Sequence, residues 1–248
     1  MAKTALVMGV SLALLFVYPA HLAAQTRRAS AASYLEMGDK WASQEDFDRA
    51  IGAYNIALEF APDFAPAYFK RGLARQARGD WPEAIADYTK TIGIIPKCAE
   101  AYANRAYVLA LQLDVEKAFA DWATALEINP KLTTVFYNRA NLRLKQDDVD
   151  GALIDFDQAL QIDPDYVMAY NNRGIAKLAK GDIKGAIADF TRAIKIDSRQ
   201  PEAYANRGLV LLQQGMKSEA EHDFARSILL RPSLKELLEE RIARTTQQ

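Results

Sequence analysis

Laid against itself at a spacing of 34 residues, the sequence from Ala31 to Leu234 repeats six times with no insertion. A chain written this way builds no single central core, because each copy can hide its apolar side only against the next copy. The copies run 31–64, 65–98, 99–132, 133–166, 167–200 and 201–234. One column holds an aromatic (Tyr34, Tyr68, Tyr102, Phe136, Tyr170, Tyr204) and the next a small residue (Gly38, Gly72, Ala106, Ala140, Gly174, Gly208). The second half of each copy holds Ala50, Ala84, Ala118, Ala152, Ala186 and Ala220. Four residues later stand the aromatics Tyr54, Tyr88, Trp122, Phe156, Phe190 and Phe224. Pro62, Pro96, Pro130, Pro164 and Pro232 close the copies, and only Ser198 departs.

Apolar residues within a copy recur at three and four, as in Tyr170, Gly174, Ile175 and Leu178 and again in Ala186, Phe190, Ala193 and Ile194. That period predicts two amphipathic helices per copy and excludes strands. Asp46, Asp80, Asp114, Asp148 and Asp182 precede the second helix, where a side-chain oxygen can accept from the free first-turn amides. Asp80 with Glu83 has the spacing of a capping box. The sixth copy has Met216 there, so its second helix is expected to begin later, at Ser218 with Glu221, and to be shorter. After the last copy, Leu234, Leu237, Leu238 and Ile242 fall on one helical face and predict a helix within 235–248 that covers the exposed end.

These columns resemble the tetratricopeptide repeat, over residues 31–234 and in one register. The resemblance implies an all-α, right-handed α-solenoid of six helix-turn-helix repeats with a C-terminal capping helix. In such a fold the small columns admit close helix approach, and the first helix of each pair lines a concave groove.

The N-terminus differs from the rest. Met1-Ala2-Lys3 leads into an apolar run from Ala5 to Val17, Pro19 is expected to end the helix, and small residues from Ala20 to Ala24 precede Gln25. This is the layout of a secretory signal peptide over 1–24, cleaved after Ala24, with 25–30 as an unstructured linker. An uncleaved membrane anchor is the alternative, because apolar residues run almost without a break from Thr4 to Ala24 and Leu22 is large for a position three residues before cleavage. The chain is accordingly expected in the periplasm of a bacterium or outside the cell, or else held on the inner membrane facing the periplasm. It meets a membrane only if the segment is retained.

Composition removes several classes of function. The 31 Lys and Arg nearly cancel the 32 Asp and Glu, so no net field holds nucleic acid. One cysteine and two histidines are too few for a zinc or iron–sulfur centre, and no cofactor or metal is expected. His21 falls in the signal segment, which leaves His222 without a second histidine or a nucleophile beside it in sequence, and no Gly-rich phosphate loop is present. Cys98, in the turn after Pro96, is read as packing, with an intermolecular disulfide as the alternative. The chain is not expected to be an enzyme.

Two charged columns stand out: Arg71, Arg105, Arg139, Arg173 and Arg207, and, sixteen residues later, Asp87, Asp121, Asp155, Asp189 and Asp223. The first copy has Met37 and Ala53, losing both charges together. Joint loss predicts that each Arg pairs with the Asp of its own copy or a neighbour's through bidentate bonds. An arginine ladder for phosphate or carboxylate is the competing reading.

One residue before those arginines stand Asn104, Asn138, Asn172 and Asn206, with Lys70 and Glu36 in the first two copies. Asn is a poor helix former, so four copies at one position require a reason. In the family this column faces the groove and its amides bond the backbone of a bound peptide; the alternative is that they bond neighbouring helices or water. Flanking columns containing Phe69, Tyr137, Asn171, Tyr107 and Asn141 are mostly apolar and suit a partner with spaced hydrophobic side chains. Tyr137 and Glu202 stand where a carboxylate-binding clamp would need basic residues. The leading reading is therefore an exported scaffold that binds a protein or peptide in its groove. A structural assembly part that uses the convex face or the ends is the alternative.

Overall fold

A computed structural model describes residues 5–246, and all regular structure among them is helical. The chain divides into two compact units, 1–128 and 129–248. The first contains α1 (Ala5–Ala42), α2 (Phe47–Phe60), α3 (Ala65–Arg78), α4 (Trp81–Ile94), α5 (Ala99–Leu111) and α6 (Val115–Ile128). The second contains α7 (Thr133–Lys145), α8 (Val149–Ile162), α9 (Val167–Ala179), α10 (Ile183–Ile196), α11 (Pro201–Gln213), α12 (Lys217–Leu230) and α13 (Lys235–Thr246), with a 3-10 turn at Pro232–Leu234. Within each unit consecutive helices pack as antiparallel pairs, the arrangement of an all-α repeat solenoid.

The small and aromatic columns explain the close pairing. A Cβ built on Gly174 would lie 2.6 Å from Cε1 of Phe190, and one on Gly72 would lie 2.8 Å from the same atom of Tyr88. The ring therefore occupies the place of the missing side chain. Ala50, Ala84, Ala118, Ala152, Ala186 and Ala220 lie on the second helices and are fully buried, where any larger residue would push the pair apart.

Each hairpin reverses through one residue with left-handed backbone: Glu45, Gly79, Leu113, Asp147, Gly181 and Gly215, with φ between 60° and 89°. Glycine adopts this conformation freely, whereas the other three carry the clash between Cβ and the carbonyl. This column escapes a hydrophobic reading because no single residue type marks it.

The aspartate caps divide. Asp46, Asp148 and Asp182 accept from the amides of Arg49, Gly151 and Gly185. Asp80 makes no cap bond and forms no capping box, because its carboxylate is taken by the Arg78 guanidinium. The shorter helix expected in the sixth copy is likewise corrected. α12 begins at Lys217 and has 14 residues like α10, since the turn at Gly215 and the bond from the Met216 amide to the Leu211 carbonyl set its start without a capping side chain.

At the C-terminus α13 packs on α11. Leu238 is buried, with Leu234 and Ile242 against the same cluster. Leu237 is 50% exposed and lies off that face, one residue away from the packed stripe.

The expected structureless linker at 25–30 is helical, as the central stretch of α1. Gln, Arg and Ala favour helix, and Thr26 and Ser30 each return a hydroxyl bond to the carbonyl four residues back, at 2.9 and 3.1 Å. The backbone also continues through Pro19, which a helix tolerates at the loss of one hydrogen bond. The side chains of 5–21 and of 23–24, on which the export signal and its cleavage site rest, lie outside the described residues, as do residues 1–4. Among the described residues no helix is long and apolar enough to cross a membrane.

Candidate functional site

The first helices α3, α5, α7, α9 and α11 carry the candidate groove residues, and their neighbours in sequence anchor them. Each column arginine lies one position past the asparagine, or past Lys70 in the second copy, and turns toward the second helix of its own pair. Arg71, Arg105, Arg139, Arg173 and Arg207 each give Nε and Nη2 to both oxygens of Asp87, Asp121, Asp155, Asp189 and Asp223, at 2.6–2.9 Å. Pairing is within the copy in every case, and the carboxylates are buried. Each guanidinium also lies 5.3–5.8 Å over the aromatic three residues before it, at Tyr68, Tyr102, Phe136, Tyr170 and Tyr204. A remaining nitrogen reaches the preceding second helix: Arg71 to Asn55, Arg105 to Thr89, Arg173 to Asp157 and Arg207 to Thr191. Burial alone would lower the Arg173 pKa, but its bonds to Asp189 and Asp157 outweigh this and hold it above the ordinary range. The bond to Asp121 does the same for Arg105, and that to Asp223 for Arg207. With their donors committed, these arginines are fixed parts of the packing.

One turn further on, Arg75, Arg143 and Lys177 add a second cation to Asp87, Asp155 and Asp189, at 2.7, 2.8 and 2.8 Å. This second layer, and the bridge to the preceding helix, are missing from the sequence reading. The signal available was a basic residue four positions after the column arginine in three copies.

In the first compact unit, Phe69 packs with Leu73 and Tyr107 against the cluster of Ala84, Tyr88 and Val108, with rings of Phe69 and Tyr88 6.0 Å apart. Lys70 lies 3.4 Å from Asp39, which also accepts from the Tyr54 hydroxyl at 2.7 Å. Asn104 gives its amide to the Glu100 carbonyl of its own helix at 2.8 Å.

In the second unit the amides join into a line across α7, α9 and α11. Asn206 donates to Asn171 at 3.0 Å, Asn171 to Asn172 at 3.0 Å, and Asn172 to Asn141 at 2.7 Å and to the Tyr137 hydroxyl at 3.0 Å. Asn141 ends the line on the Tyr137 carbonyl at 2.9 Å. The Tyr137 ring lies 5.0 Å from Tyr166, whose own hydroxyl burial pushes up to about 12. Asn138 is half-buried, and its side chain makes no hydrogen bond among the described residues. Thus Asn172 and Asn206 bond neighbouring first helices, as the alternative reading holds, and Asn104 bonds its own. An amide carries two N–H donors and two acceptor lone pairs, so each keeps capacity toward a ligand.

Beside this line opens a cavity of about 380 Å³, walled by Val167, Met168, Asn171, Asn172 and Gln200 and closed by Arg231, which bonds Glu202. Met168 is exposed in it. An apolar wall next to spare amide groups suits an extended peptide, whose backbone needs both donors and acceptors.

The residues considered for chemistry lie apart. His222 is 80% exposed on α12, and Cys98 sits at the start of α5, where burial pushes its thiol up, away from the reactive thiolate.

Known proteins agree with this architecture. A tetratricopeptide repeat model matches residues 35–97 and 69–132, a TPR repeat model matches 140–181 and 176–215, and a further tetratricopeptide repeat model matches 201–234. No curated protein sequence matches the chain. The fold is similar to that of PilF from Pseudomonas aeruginosa (TM-score 0.76, 16% identity, 87% of this chain and 99% of that one). It is also similar to that of PilW, a type IV pilus biogenesis factor (TM-score 0.74, 17% identity, 85% and 97%). YrrB, a TPR protein with an unusual peptide-binding site, aligns at a TM-score of 0.55 and 22% identity over 68% of this chain and 88% of that one. Matches running from residue 35 to residue 234, on a fold of paired helices, make this chain a member of the tetratricopeptide repeat family.

Proposed function

We propose that the chain is an exported adaptor that binds a peptide or protein segment along its first helices. TPR repeats form protein–protein interaction scaffolds; the finer assignment rests on the line of amides from Asn206 to Asn141 with the cavity beside it. Those amides are oriented before a ligand arrives, which lowers the ordering entropy of binding. In the second unit Asn138 and Tyr137 stand on α7 with Asn141; in the first, Lys70 and Asn104 occupy the same column on α3 and α5, with Phe69 and Tyr107 as the apolar part. The peptide-binding site of the structurally similar YrrB supports this reading. Export follows from the N-terminal segment: a mature chain beginning near Gln25, in the periplasm or outside the cell, with repeats over 31–234 and a capping helix after them.

The test is a crosslinking pull-down from envelope extract with the tagged mature protein, repeated with Asn138→Ala and Asn172→Ala together. Loss of partners with an unchanged circular dichroism spectrum is the expected result. Full retention would move the interaction to the second-helix face or the ends. Intact mass of the native protein tests export, and a mass that retains residues 1–24 with extraction only by detergent would establish the anchored form.

A further inference from the structure

The repeats of this chain act as templates for one another, and one copy lacks a part that others possess. Asp87, Asp155 and Asp189 each hold two cations, the second reaching Oδ2 from one turn along the first helix (Arg75, Arg143, Lys177). In the third and sixth copies that position is Leu109 and Leu211, and among the described residues the column arginine is the one lysine or arginine bonded to Asp121 and to Asp223, in bidentate contact. A cavity opens beside each: about 410 Å³ at Leu109 and Asp121, and about 450 Å³ at Leu211 and Asp223. Their rims differ. In the third copy Lys117 stands over the cavity, bonded to Asp114 at 2.6 Å; in the sixth the same column is Glu219. The sixth-copy cavity thus faces two carboxylates, Asp223 and Glu219, against one already bonded guanidinium, Arg207. The His222 ring nitrogen is 3.8 Å from Asp223 Oδ1. Its wall includes Ile187 and Leu211, apolar groups that suit an aliphatic stem.

We propose that this cavity, between α10 and α12 over α11, is a docking site for a lysine or arginine side chain of a partner protein. The stem would lie along Ile187 and Leu211, and the cation between Glu219 and Asp223 would supply the second contact that Lys177 makes with Asp189 in the preceding copy. The third-copy cavity, with Lys117 at its rim, would refuse the same side chain by like-charge repulsion. The proposal is independent of the amide line.

The test is an NMR titration of the full chain with the peptide acetyl-Ala-Lys-Ala-amide and with its norleucine counterpart. The lysine peptide is expected to give saturable shifts at Thr191, Ser218, Glu219 and His222, and the norleucine peptide none. Leu211→Lys, which installs the fifth-copy arrangement, should abolish the shifts. Glu219→Lys, an exposed change that leaves packing alone, should weaken binding about ten-fold or more, and it carries the test if Leu211→Lys does not fold. Absence of saturable shifts, equal response to norleucine, or unchanged affinity in Glu219→Lys would each overturn the proposal.

Discussion

Replacing Arg207 by Met should cost much more stability than the same change at Arg139, although the two arginines occupy one column and make the same bidentate contact. At Arg207 the bonds to Asp223 are 2.7 and 2.8 Å long, the carboxylate is 1% exposed, and among the described residues no second lysine or arginine is bonded to it. Removal leaves a buried charge whose nearest remaining basic group is the exposed ring of His222, a situation that costs about 3–5 kcal/mol. At Arg139 the partner Asp155 is equally buried, but Arg143 remains at 2.8 Å on Oδ2, so the charge stays paired and the loss should be about 1–2 kcal/mol, the worth of charge-assisted bonds removed from a satisfied acceptor. The double change Arg207→Met with Asp223→Ala repeats the Met37 and Ala53 combination of the first copy and should recover most of the single loss. Urea unfolding measures the totals. Amide exchange in α8 and α12 assigns them locally, because repeat arrays open in parts. Equal losses at the two arginines, or strict additivity in the Arg207 and Asp223 cycle, would refute the reasoning that the number of cations on the buried aspartate decides the cost.

Leu113, 80% exposed with φ of 64°, should gain about 0.5–1 kcal/mol on replacement by Gly, read as a higher urea midpoint, since relief of the left-handed clash exceeds the added freedom of the unfolded chain. Gly174→Ala should destabilise by about 1–3 kcal/mol in thermal unfolding, because its methyl would meet the Phe190 ring at 2.6 Å. Alkaline stability is set by phenols: burial raises Tyr54 and Tyr88, and Tyr166 to about 12, above the usual value near 10. The folded state then holds protons that the unfolded state releases, so stability is full below about pH 10 and falls as pH rises toward 12 and beyond. Phenolate absorbance and helical signal should change together in that window.

The fold was legible because its determinants are columns. Gly174 beneath Phe190 and the buried Ala186 on the second helix are packing constraints that recur every 34 residues, and recurrence separates them from chance. The pairing of Arg with Asp was legible for a different reason: the first copy loses both at once. What stayed hidden is carried by heterogeneous positions. Arg75, Arg143 and Lys177 share a role with no common residue type, and Leu109 and Leu211 break the column. The left-handed turn column mixes Glu, Gly, Leu and Asp, since backbone geometry, not side chain, is what repeats there. The line of amides was half legible. The column asparagines were visible in sequence, but Asn141 and Asn171 join them only through contacts between helices.

The shared turn also bears on how the chain reaches its fold. Every hairpin closes within 34 residues, so contact order is low and folding is expected to be fast, with nucleation open to any copy. The six sites are not equivalent, however. Closing at Gly79, Gly181 or Gly215 forces no side chain into the left-handed region, whereas closing at Glu45, Leu113 or Asp147 does. The second, fifth and sixth hairpins should therefore form earliest, and the remaining three should zip onto structure already present.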